Sequence, residues 1–211
     1  MACAICRTRR PRRFCPGVRG EICTLCCGTE REVTVDCPLD CEFLREGRRH
    51  EKAAERPPAD PGNRDVEVSE KLLRANEELL AFLSMTIFGA AMEIPGVVDS
   101  DVREALDGLV RTYRTLESGV YYESRPDNVL AGSIFTAVRN ALAEFRRAEV
   151  ERLGMTKTRD FDALGMLVFL RHFAVTYDNG RRRGRAFLDA LRAFYPPEEP
   201  SASSPSSAIL R

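Results

Sequence analysis

Eight cysteines crowd the first 41 positions of this chain, and none follows. Their order is Cys3, Cys6, Cys15, Cys23, Cys26, Cys27, Cys37 and Cys41. Cys3 with Cys6, and Cys23 with Cys26, are C-x2-C pairs, and Cys37 with Cys41 is a C-x3-C pair. At these spacings a backbone turn delivers two thiolates to one tetrahedral ion. Eight such donors close two four-coordinate sites. Residues 1–50 have little else to hold a fold. Outside Met1, Cys and Pro, their apolar side chains larger than Ala are Ile5, Phe14, Val18, Ile22, Leu25, Val33, Val35, Leu39, Phe43 and Leu44. A piece this small needs metals or disulfides, and structural zinc supplies on the order of 10–16 kcal/mol in small zinc peptides. The expectation is a module with two structural Zn2+ ions, because all-Cys sites are closed and leave no position open for catalysis.

Adjacent residues rarely chelate one tetrahedral ion, so Cys26 and Cys27 face different centres. The interleaved solution puts Cys3, Cys6, Cys23 and Cys26 around one ion and Cys15, Cys27, Cys37 and Cys41 around the other. Sequential wiring is the alternative: Cys3, Cys6, Cys15 and Cys23, then Cys26 or Cys27 with Cys37, Cys41 and His50. An iron–sulfur cluster fits less well. Cys15-Pro16 and Cys37-Pro38 echo ferredoxins, but the tight three-cysteine run is missing. A disulfide framework needs export, and the segment Met1 to Arg7 has no apolar core of signal-peptide length.

On these spacings the segment resembles small interleaved zinc modules of the cross-brace type, such as the MYND, B-box and HIT fingers. Through Cys26-Cys27-Gly28-Thr29 and Cys37-Pro38-Leu39-Asp40-Cys41 it is also similar to bacterial proteins that place such stretches ahead of a helical domain. The resemblance implies a surface for protein contacts rather than catalysis.

The rest of the chain reads as helical. Val33-Thr34-Val35 predicts a short strand inside the module, and the run from Cys41 to Glu46 the start of a helix. Residues 51–65 turn from a charged run into a proline-rich linker. From there apolar residues recur at helical steps, with a first helix ending at Ile94-Pro95-Gly96. Asp101 with Glu104 marks the start of a second, which runs to Ser118-Gly119. Asp127 caps a third that stops at Leu153-Gly154, a fourth ends at Asp178-Asn179-Gly180, and a fifth holds Phe187, Leu188, Leu191 and Phe194. The expected fold class is therefore mainly α. A Cys-rich zinc module (1–50), a linker (51–65) and an antiparallel bundle of about five helices (66–195) precede a disordered tail rich in Ser, Ala and Pro (196–211).

Charge narrows the partners. The chain balances 32 basic against 32 acidic residues, so it is no general polyanion binder. Arg7, Arg9, Arg10, Arg12 and Arg13 nevertheless crowd the loop between Cys6 and Cys15, as phosphate-gripping groups or as counterions to the thiolates. Arg181, Arg182, Arg183 and Arg185 form a second cluster, read as a solvated turn. The apolar run from Leu79 to Met92 is short for a membrane span. No P-loop, dinucleotide fingerprint, His-Glu-x-x-His helix or Ser/His/Asp signature is present, so an enzyme is not expected. The sequence reads as a cytoplasmic, zinc-binding adaptor for a protein partner. The alternatives are a nucleic-acid-binding regulator using the arginine loops and, more weakly, a redox sensor in which an oxidant ejects zinc from thiolates. Nothing in the sequence specifies an oligomeric state.

Overall fold

The computed structural model describes residues 2–50, 63 and 65–194. The expected tail, and the expected linker apart from positions 63 and 65, lie outside the described residues. The chain is mainly helical. Strands β1 (Arg13–Cys15) and β2 (Gly20–Ile22) form an antiparallel hairpin in which Arg13 faces Ile22 and Cys15 faces Gly20. Helices α1 (Thr24–Glu30) and α2 (Glu42–His50) complete the Cys-rich segment. They are followed by α3 (Glu70–Ala75), α4 (Glu77–Glu93), α5 (Asp99–Glu117), α6 (Val129–Leu153), α7 (Asp160–Thr176) and α8 (Ala186–Phe194).

Two local readings change in the Cys-rich segment. The strand expected at 33–35 is a turn with one bridge, Arg31 to Val35. The amides of Val33, Thr34 and Val35 all converge on the Glu30 carbonyl. They satisfy the end of α1, which would otherwise leave its last carbonyls unpaired. The hairpin was not anticipated, since its two strands span only three residues each and show no alternation long enough to read.

The helical part follows its apolar periodicity, with shifts at the caps. The first expected helix is interrupted at Asn76, whose side-chain amide donates to the Leu72 carbonyl and to Asp162. Helix α5 begins at Asp99 rather than Asp101. Asp101 instead reaches back to the Val98 amide at 3.0 Å, the reciprocal position of a capping arrangement. Asn128, one residue beyond the expected Asp127, caps α6 through the amides of Leu130 and Ala131. Gly154 closes α6 in the left-handed region, at φ 74.

Helix α5 packs on α6 and α7, and α4 on α6 and α8. The ion pairs Arg103–Asp178 and Arg171–Asp107 show α5 and α7 running antiparallel. Phe82 against Phe145, and Glu78 against Arg152, show the same for α4 and α6. Helices α5 and α6 share a direction, because the intervening segment returns along α5 before α6 starts. Its Ser124 amide donates to the Thr112 hydroxyl at 2.9 Å, and Asn128 reaches Asp101 near the beginning of α5. Tyr121 and Tyr122 ride on this returning segment and are exposed.

The bundle core is apolar, with Leu83, Ile87, Leu106, Leu109, Ile134, Phe135, Leu164 and Phe187 fully buried. Each is worth about 1.5–3 kcal/mol of burial. A second, smaller cluster gathers Ile22, Val35 and Leu44 around the cysteines, while Leu39 already belongs to the bundle core. Among the described residues, no helix is long and apolar enough to cross a membrane.

Candidate metal centre

Four of the eight sulfurs converge. Cys3 and Cys6 sit in the N-terminal turn, Cys23 caps α1 and Cys26 lies in its first turn. The four Sγ atoms lie within 4.8 Å of one another. Ligands of a tetrahedral zinc thiolate, with bonds of about 2.3 Å, would stand about 3.8 Å apart. Local backbone makes the arrangement. Arg7 takes φ 56 immediately after Cys6, and its amide closes the turn on the Cys3 carbonyl at 2.9 Å. The Cys23 amide donates to the Cys3 sulfur at 3.2 Å, and the Cys26 amide to the Cys23 sulfur at 3.4 Å. All four thiols are free, and three of them are buried.

The four thiols differ sharply in their electrostatics. Hydrogen bonds from the Thr8 side chain and from the Thr8 and Arg9 amides pull Cys6 down to about 5. Burial works against the Cys3 thiolate, yet donation from the Cys23, Cys6 and Ile5 amides leaves it below the usual thiol range. Cys26 is pushed the other way, up to about 12, by burial and then by the neighbouring Cys23, Cys6 and Cys3 sulfurs. Protons alone therefore leave a mixed set in which ionised sulfurs oppose the ionisation of another. A divalent ion removes that conflict, since a coordinated thiol is deprotonated outright. Closely spaced soft sulfur donors of this kind could hold one thiophilic metal ion.

The remaining cysteines occupy a second place. Cys15 ends β1, Cys27 lies on α1, Cys37 is in the following loop and Cys41 precedes α2. All four line one small cavity together with Ile22, Phe43, Leu44 and two arginines, Arg13 and Arg31. Among the described residues, only the first quartet brings its sulfurs within 4.8 Å of one another. Burial, with the Cys15, Glu32 and Cys41 charges, raises Cys37 to about 11, although the Glu32 amide donates to its sulfur. Cys26 thus belongs to the converging quartet, while its neighbour Cys27 lines the second cavity. His50 is exposed at the end of α2, where it pairs with Glu46 at 2.9 Å.

The arginine loop divides. Although desolvation works against it, the Cys23 and Cys6 sulfurs raise the pKa of Arg9. Arg13 donates to the Cys27 sulfur at 3.7 Å and stacks 3.9 Å over the Phe43 ring. Arg13 is thus a counterion to sulfur, while Arg9, like Arg7, Arg10 and Arg12, is exposed.

Sequence reasoning missed the residues that join this segment to the bundle. Glu32 is completely buried, and its carboxylate accepts from Arg48 at 2.6 Å, Asn179 at 2.9 Å and the Arg185 amide at 2.9 Å. Arg185 also pairs with Asp36 at 3.0 Å, and Arg181 donates to the Arg31 carbonyl at 2.9 Å. Arg181 and Arg185 of the second cluster are therefore bound against the Cys-rich segment, while Arg182 and Arg183 are exposed. A lone glutamate in a loop carries no periodic signal that could have marked it. No protein-family model, curated protein or solved structure matches the chain.

Proposed function

We propose that the chain is a non-catalytic, structural zinc protein whose Cys-rich segment holds two Zn2+ ions and serves as an adaptor for a protein partner in a reducing, cytoplasmic setting. The first ion is held by Cys3, Cys6, Cys23 and Cys26, and the second by Cys15, Cys27, Cys37 and Cys41. The convergence of the first four sulfurs within 4.8 Å carries this reading. Closed all-thiolate sites favour a structural rather than a catalytic ion. A groove of about 550 Å³ on the same segment, lined by Phe14, Pro16, Pro38 and Phe43 with Asp40, Glu42 and Arg45, supports the partner-binding half. Phe14 in that groove is 56% exposed, an apolar ring left more than half open to solvent.

Purified without added metal, the full chain should carry two Zn2+ ions by native mass spectrometry, and a partner retained by the loaded chain should be lost on chelation. A metal-free chain in which residues 2–50 stay ordered overturns the reading.

A further inference from the structure

Glu32 stands where the second sulfur quartet and the helical bundle meet. It lies in the loop between Cys27 and Cys37, and its φ of 54 is in the left-handed region. A residue with a Cβ rarely adopts that conformation, so the surroundings must impose it. On one side the loop runs on to Cys37 beside Asp36, which pairs with Arg185 at 3.0 Å. On the other, the Glu32 carbonyl accepts the Arg183 amide at 2.7 Å. Its carboxylate holds Asn179 and the Arg185 amide of the α7–α8 turn. Arg48 ties the same carboxylate, at 2.6 Å, to Asp189 on α8, at 2.5 Å. A fully buried carboxylate persists only where partners surround it completely. Here most of those partners come from the turn at 178–185.

We infer that an ion at Cys15, Cys27, Cys37 and Cys41 is the lock that keeps Glu32 seated and the arginine turn docked. Loss of that ion would release Arg181–Arg185 from the Cys-rich segment without unfolding the bundle. The inference rests on the second half of the proposed zinc assignment. Its physical basis is chain closure. With the ion bound, Cys27 and Cys37 pin both ends of the short loop bearing Glu32, which limits the conformations open to it. With the ion gone, the strained φ can relax. The first quartet does not bracket Glu32, so its loss alone should leave the turn in place.

Hydrogen exchange on the full zinc-loaded chain tests this. The amides of Arg183 and Arg185 report the lock, and the amides of α5 report the fold of the bundle. Cys41→Ser should lower the zinc count from two to one and speed exchange at Arg183 and Arg185 at least tenfold, with α5 unchanged. Glu32→Ala should speed the same amides while both ions stay bound. A wild-type count of two that falls to one in Cys41→Ser, with exchange in the turn unaltered, overturns the lock and leaves the two-zinc reading standing. Fewer than two ions in the wild type overturns both. Parallel loss of protection in α5 also overturns the lock, because the ion would then support the fold as a whole.

Discussion

Asp99 accepts the amides of Phe187 and Leu188 at 2.9 and 3.2 Å, giving the first turn of α8 the acceptor its orphan donors need. The position is demanding. Burial raises its carboxyl to about 7 from 3.8, and the nearby Glu32 charge adds to the rise, although the two amides and Arg48 oppose it. The folded state thus binds this proton more tightly than the unfolded chain does. The resulting stabilisation is full below about pH 3.8 and is lost as pH rises through about 7. Asp99→Asn keeps an acceptor for the amides but removes the titration. The stability of the wild type relative to this variant, from urea unfolding, should fall by about 2 kcal/mol between about pH 5.5 and 7.5. Subtracting one protein from the other cancels the titration of groups they share, including the thiols. A constant difference across that range would refute the assignment.

Among the elements, the segment returning along α5 is the least regular and the most dependent on close approach. A methyl group at Gly108 would lie 2.6 Å from the Ser124 carbonyl oxygen and 3.2 Å from Pro126. No flexible side-chain end could move to admit it. Gly108→Ala should therefore destabilise the chain despite the better helix propensity of Ala. The expected net loss is about 1–3 kcal/mol, as overpacking costs elsewhere, read as a lower thermal midpoint. The physical role of this contact is to let α6 begin beside the start of α5. An unchanged or raised midpoint would show that the returning segment is free to shift. The boundaries of α5 and α6 were legible to within two residues, because caps and apolar spacing act over a single turn, but α1 was not anticipated. Asn128 for Asp127 is an exchange between neighbouring capping side chains, whereas at α5 Asp101 keeps a capping role and only the first helical residue moves.

At the scale of the entire chain, the two apolar clusters predict unequal responses to metal removal. The bundle buries its own aliphatic core, whereas the Cys-rich segment clusters Ile22, Val35 and Leu44 around the sulfurs themselves. Chelation at neutral pH under reducing conditions should abolish the helicity of α1 and α2 and leave that of α4 to α8, a small loss in far-ultraviolet circular dichroism. Complete loss of the helical signal would contradict a self-supporting bundle. Much of this organisation was open to reading along the chain. C-x2-C spacing and the doublet Cys26-Cys27 already divide the sulfurs, since a turn of backbone sets which thiols can meet. Helical periodicity likewise exposes the apolar face of α8 through Phe187, Leu188 and Leu191. Spacing of this kind acts over a few residues and survives in one dimension. The seating of Glu32 among Arg48, Asn179 and Arg185, the shared direction of α5 and α6, and the docking of the second arginine cluster join positions up to about 150 apart in sequence. No local pattern encodes such pairs. They emerge only when packing brings the charges together and burial forces each to find a partner.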